Sequence, residues 1–348
     1  MKQPIFTGIW GKCHIQGIAV DEKRGYIYYS FTTKLVKATL DGEIIGSLDG
    51  LVGHLGCIAF SKEDGRVYGS LEYKNDNIGK GILNALGDTG VYEDGFYIAR
   101  FDVDKIDRVG IPAEGSDIMK CIYLSEVVSD YLGEGTDKDG KPTPHRYGCS
   151  GIDGTTIAPL PGAAIDSKKY LYVAYGIYSD HNRTDNDRQV ILCYDFSDWD
   201  KYATPLDQKS MHKFGPEKPE HKFFVYTGNT TYGVQNLEFD AHTHSLVMAV
   251  YRGSKPSFPN YDLFLADLST PAVICEGEGE LLSLKKIGKP SEDKGICGWY
   301  FPHGSTGLYS FGNGEWFISE SRVTTEGQCA HVYKYVWDGI HPFVTDLS

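Results

Sequence analysis

His14, His54 and His303 stand in one frame: each is followed eleven residues later by a glycine (Gly25, Gly65, Gly314) and sixteen later by a serine (Ser30, Ser70, Ser319). Imidazoles that recur in register belong to a repeated unit, and a repeat sets like side chains at like positions around one axis. Two less regular copies bring further polar groups to the same level. Aligning Ile157-Ala158 with Ile18-Ala19 puts Asp153 where His14 and His54 fall, and aligning Phe239-Asp240 with Val20-Asp21 puts Gln235 on Gln16. Three imidazoles, a carboxylate and an amide meeting in one small space are ligand types for a divalent ion: zinc, manganese, iron or calcium. The expected metal set is therefore His14, His54, His303, Asp153 and Gln235. The competing reading is a wet channel in which these groups bond to one another and to buried water.

A second group follows from chain reversal. If the segment after each histidine is a strand and the next segment its antiparallel neighbour, the end of that neighbour returns to the same level. This brings Glu72, Arg252, Glu320 and Arg322 to the rim as acid, base and anion clamp. Tyr175, Tyr232 and Tyr251, with Gln16, are the expected ligand contacts, because flat amphipathic rings suit sugar faces. The plainer alternative is that strand-end Glu and Arg form exposed ion pairs and that the rings pack between elements.

The elements that must position these residues are short strands. The chain has 348 residues, with 41 Gly and 24 Tyr, a turn-rich and aromatic-rich mixture. Five inner-strand segments are each followed by a second strand (26–31, 66–72, 170–175, 246–252, 315–320), a third (35–41, 97–102, 191–195, 263–267, 332–338) and a weaker fourth (43–48, 120–124, 222–226, 281–286, 343–347). Four antiparallel strands repeated five times about an axis describe an all-β fold, a five-bladed β-propeller. One domain over 1–348 is expected, with blades at roughly 14–50, 51–126, 150–228, 229–290 and 300–348. Residues 1–13 and 343–347 compete to close the ring, and insertions at 73–95 and 126–150 read as functional rims or decoration.

Several classes are excluded. A net charge of −13 with no basic cluster argues against nucleic acid or an anionic membrane as partner. Eight dispersed cysteines form neither a zinc ribbon nor a disulfide framework, and with no apolar leader in the given chain they point to a cytoplasmic setting, a removed signal peptide aside. No Walker loop, GxGxxG, HExxH or Gly-x-Ser-x-Gly occurs.

The five-unit arrangement resembles the five-bladed β-propellers, a fold that includes several glycoside hydrolase families and the calcium-dependent nucleotidases. Glycosidases of this fold carry three essential carboxylates on separate blades. That resemblance points to Asp153, Glu72 and Glu320, with His14 and Gln16 standing where the first-blade acid belongs. The set His14, His54, His303 and Gln235 is similar to that of the oligogalacturonate lyases, seven-bladed propellers whose channel mouth holds a metal through three His and one Gln. The expectation is a carbohydrate-active enzyme, hydrolase or lyase-like, taking a small-molecule or oligosaccharide ligand. A mouth metal would polarise the substrate, Arg252 or Arg322 neutralise it, and Glu72 or Glu320 move the proton. The alternatives are a non-catalytic binding or scaffolding propeller and a metal-dependent phosphoester or nucleotide hydrolase.

Overall fold

A computed structural model describes residues 3–339, 341 and 343–345. Five antiparallel sheets stand around one axis as the blades of a propeller. The innermost strands are Ile15–Asp21, His54–Phe60, Cys149–Ala158, Thr231–Asp240 and Leu308–Ser310. Each pairs with a second strand: Tyr26–Phe31, Val67–Tyr73, Tyr170–Ile177, Ser245–Tyr251 and Glu315–Val323. The apolar interior is divided into five clusters, one at each seam between neighbouring blades, so each sheet buries both faces. Large rings such as Tyr28, Tyr68, Tyr172 and Trp316 fill these seams, which accounts for much of the aromatic content.

The repeated glycines and serines have separate structural reasons. Gly25, Gly65 and Gly314 take φ of 74°, 71° and 91° at the turn after the inner strand, a region in which an L side chain is strained. The serine hydroxyls tie strands together at the hub. Ser30 donates to the Gly56 carbonyl at 2.7 Å and Ser70 to the Asp153 carbonyl at 2.6 Å, each reaching from one blade to the inner strand of the next. Ser319 donates to the Thr306 carbonyl at 2.6 Å within its own blade.

Three features differ from the sequence expectation. The segment expected as the fourth strand of blade four divides. Gly279–Leu282 runs parallel to His221–Tyr226 of blade three, and only the backbone of Ser283 and Lys285 reaches blade four. The insertions contain helices, Asn77–Leu86 and Ser125–Leu132. Both terminal segments join blade five: Ile5–Phe6 pairs with His331 and Val332, and Val344–Thr345 with Tyr335 and Val336. The two contestants for ring closure thus occupy different stretches of the same strand, and residues 346 and 347 of the expected last strand lie outside the described residues. No helix among the described residues is long and apolar enough to cross a membrane.

Candidate active site at the axial mouth

All five inner strands run the same way along the axis, so their N-terminal ends share one mouth. Ladder pairing slips at a matching level in four of them: between Ile15 and Gly17, Leu55 and Ile58, Ile152 and Thr155, and Val234 and Asn236. A residue left out of a ladder is free to aim its side chain away from the pleat, the usual role of a bulge beside a site. Gln16, Asp153 and Gln235 are such residues, and all three line a cavity of about 380 Å³. His14, His54, Glu72, Tyr232 and Tyr251 line it too, so eight of the thirteen residues expected from sequence meet there.

Register explains the centre of the site. His54 opens the inner strand of blade two and lies directly across the ladder from Glu72. Its Nδ1 stands 3.4 Å from Glu72 Oε1 and 3.4 Å from Asp153 Oδ1 of the neighbouring blade. Glu72 is buried, its Oε2 accepts from the Ile152 N–H at 2.9 Å, and its Oε1 faces the Lys74 ammonium at 2.5 Å. Gly151 makes this approach feasible: at φ 125°, a Cβ there would sit 1.9 Å from Glu72 Oε2. Lys74, on the same side of the chain as Glu72, also donates to the Ser150 carbonyl at 2.7 Å and lies 3.7 Å from Asp76. Gln235 Nε2 donates to Asp153 Oδ2 at 3.1 Å and to the Tyr232 carbonyl at 3.0 Å. Tyr232 adopts φ 63°, a strained conformation for a non-glycine residue, and its ring meets Tyr251 edge-on at 6.2 Å. The fourth wall is the helix Asn77–Leu86, capped by Asp76, which accepts from the Ile78 and Gly79 N–H groups.

The electrostatics follow from burial and these contacts. Burial opposes a charged His54, yet Asp153 and Glu72 outweigh it and hold its pKa above the ordinary histidine value. Burial raises Asp153 to about 7, with the Glu72 charge adding to the shift. For Glu72, burial is overcome by Lys74 and His54, which keep it below the usual carboxylate range. Lys74 is held well above the ordinary lysine value because Glu72 and Asp76 outweigh its burial. His14, whose Nε2 lies 3.2 Å from Gln16 Nε2, is lowered to about 4 by burial and by the neighbouring His54 charge. Near neutrality the mouth thus contains a fixed ion pair, a neutral His14 imidazole, and a His54–Asp153 pair in which both pKa values are raised, so that on the acidic side of about 7 a charged imidazole stands beside a neutral carboxyl.

Five expected residues are placed elsewhere. The inner strand of blade five begins only at Leu308, and His303 precedes a short 3-10 turn, Gly304–Thr306, that takes it away from the cavity lining; its Nε2 is 3.9 Å from Glu320 Oε1. Glu320 pairs with Arg322 at 2.5 Å and accepts from the Tyr335 hydroxyl at 3.0 Å. Arg252 forms a two-pronged pair with Asp262, at 2.9 and 2.7 Å, with its guanidinium over the Tyr300 ring. Tyr175 is fully buried and donates to Asp130 at 2.7 Å. Lys74 is the site residue that sequence reading missed; the available signal was the alternation Glu72-Tyr73-Lys74 at a strand end, which sets acid and base on one face.

The donor set does not fit the expected metal ion. Among the described residues no group of three or more His, Cys, Asp or Glu is arranged to hold one. The physical reason lies in the contacts. Lys74 occupies the Glu72 oxygen that would face an ion, Gln235 occupies an Asp153 oxygen, and a further cation would stand against an ammonium and a protonated His54.

No protein-family model matches the chain, and no curated protein sequence does. Among solved structures it is similar to a GH43_1 enzyme from Xanthomonas citri, at 11% identity over 99% of this chain and 93% of that one, with a TM-score of 0.42. It is also similar to a gluconolactonase from Xanthomonas campestris, at 10% identity over 98% and 78%, TM-score 0.38. A third is the PQQ domain of pyranose dehydrogenase from Coprinopsis cinerea, at 13% identity over 91% and 81%, TM-score 0.37.

Proposed function

We propose that this propeller is a carbohydrate-active enzyme of the lyase type, moving protons on a small acidic sugar bound at the axial mouth. The observation that carries the reading is the cavity-facing Asp153, within 3.4 Å of His54, with His54 in turn 3.4 Å from a buried, clamped Glu72. A two-carboxylate glycosidase mechanism needs a second carboxylate free to meet the substrate. Glu72 is engaged by Lys74 and the Ile152 N–H and has a side-chain exposure of 1%, so it orients rather than attacks. A neutral imidazole and a protonated carboxyl suit elimination instead. His14 takes the proton from the carbon next to the sugar carboxylate, the electron pair forms a C=C bond, the adjacent C–O bond breaks, and Asp153 delivers a proton to the departing oxygen. Lys12 at the rim and the charged His54 favour an anionic ligand, in the place where Arg252 and Arg322 were expected. Tyr232 and Tyr251 offer ring faces to the sugar.

The test is to incubate chelator-treated protein with short uronic-acid oligosaccharides and follow ultraviolet absorbance of the conjugated product. Growth of that absorbance supports elimination. New reducing ends without it would assign a hydrolase, and binding without turnover would leave a non-catalytic ligand-binding propeller.

A further inference from the structure

The C-terminal ends of the inner strands converge on the opposite mouth, and there a second cavity of about 330 Å³ opens. Between the two mouths the axis is packed: the Cys57 thiol lies 3.4 Å from the Thr155 carbonyl and 3.9 Å from that of Leu237. The second cavity is walled largely by apolar side chains, among them Phe60, Phe239, Tyr309 and Phe311. Two carboxyls interrupt this wall, the exposed Glu63 and the half-buried Glu238. Glu238 Oε1 accepts from the Ser310 N–H at 3.1 Å, and Oε2 accepts from the Thr156 hydroxyl at 3.3 Å. Each oxygen keeps a lone pair, and none of the ion pairs among the described residues includes Glu238.

Glu238 is half-buried, and an acid set in an apolar wall without an ion-pair partner is costly where an amide or an apolar residue would fill the place at less expense. The surrounding charges do not supply the missing partner. Lys62 is engaged by Glu22 at 2.7 Å, and that same carboxylate accepts from the Tyr309 hydroxyl at 2.8 Å. Lys169 donates to the Ile165 carbonyl, feels Glu63 and Asp166, and rests its ammonium 5.5 Å from the Phe239 ring centre. Asp240, which accepts from the Ser310 hydroxyl, adds negative charge behind Glu238. The rim lysines thus face acids of their own, Lys62 acts on Glu238 only from beyond ion-pair distance, and the aromatic wall already holds one ammonium against a ring face.

We propose that this second mouth is a binding site for a small organic ammonium ion with an apolar body, its charge against Glu238 and its body against the aromatic wall. The proposal is independent of the chemistry assigned to the first mouth. Burial pushes the Glu238 carboxyl up to about 8, against its bonds from Ser310 and Thr156. An ammonium ligand must therefore displace a proton at neutral pH, and its apparent affinity rises about tenfold per pH unit below that value.

The probe is phenethylammonium, titrated calorimetrically into the full chain between pH 6 and 8.5, with neutral phenethyl alcohol and anionic phenylacetate as controls. The expected result is saturable one-to-one binding that tightens with pH and exceeds that of both controls by at least about tenfold. Glu238→Gln should abolish the pH dependence and the preference for the cation, and Asp153→Asn should leave both in place. Absence of saturable binding, equal binding of the alcohol by the unaltered protein, or unchanged binding by a folded Glu238→Gln protein would each overturn the proposal. The alcohol comparison needs no variant, so it decides the matter even where the substituted chain folds poorly.

Discussion

At the scale of single residues, the Lys74–Glu72 pair sets the state of the mouth. Both side chains are buried, and Lys74 holds Glu72 anionic so that His54 stays oriented and charged. Breaking a buried pair by removing one partner leaves a charge in low dielectric, at a cost of about 3–5 kcal/mol. Lys74→Met is therefore expected to lower stability by that order in a denaturant titration, and Lys74→Met with Glu72→Gln to recover a good part of the loss. Equal instability of single and double variants would show that the pair is not the unit. Glu72 and His54 were legible in the sequence because strand pairing fixes them opposite each other. Lys74 was not, since a lysine at a strand end reads as solvated, and its burial depends on Ser150 and Gly151 of the neighbouring blade, which are remote in sequence. His303 misled for a related reason: its frame to Gly314 and Ser319 is kept, but the inner strand of blade five is shorter than those of the other blades.

At the scale of elements, the helix Asn77–Leu86 carries two glycines whose replacement should act in opposite directions. A Cβ at Gly79 would lie 1.8 Å from the Lys74 carbonyl oxygen, so this glycine is what lets the helix approach the site. A Cβ at Gly81 meets nothing within 4 Å, although the residue lines the cavity. Glycine in a helix interior costs roughly 1 kcal/mol relative to alanine. Gly81→Ala should thus raise the melting temperature, whereas Gly79→Ala should lower it; thermal melts of the two proteins decide, and a shift of the same sign in both would contradict the placement of the helix. This wall was not foreseen, because two glycines in ten residues hide a helix from propensity. The bulges that aim Gln16, Asp153 and Gln235 were equally hidden, since a ladder slip leaves no composition signal. The blade strands were legible because alternation, turn glycines and hub serines all recur.

At the scale of the whole molecule, the ring is closed by hydrogen bonds between the two ends of the chain: the Thr7 N–H donates to the Ala330 carbonyl at 3.1 Å and the Ala330 N–H to Thr7 Oγ1 at 2.8 Å. Its hub carries titratable groups at both mouths, and their combined shifts give stability a defined pH dependence. Asp153 is raised to about 7, Glu238 to about 8, and His54 also lies above its ordinary value. A group whose pKa is higher folded than unfolded stabilises the fold below its unfolded value, and that contribution is lost as pH rises through the folded value. Glu72 and His14, both lowered in the fold, contribute above their unfolded values and lose that contribution on acidification, which offsets part of the trend set by Asp153, Glu238 and His54. Stability is expected to be greatest on the mildly acidic side and to fall as pH rises from about 5 to about 8. Denaturant titrations across this range check it, and stability rising toward pH 8 would contradict the assigned charges.

The most direct test of the account is the pH dependence of kcat/KM for uronide elimination, compared between the unaltered protein and Asp153→Asn. A neutral His14 requires pH above about 4, and a protonated Asp153 requires pH below about 7, so the profile should be a bell between those limits. In Asp153→Asn the alkaline limb should vanish and the rate should drop by roughly 10²–10⁴, with ligand binding retained. An unchanged rate and an unchanged alkaline limb in that variant would contradict the claim that Asp153 moves the proton.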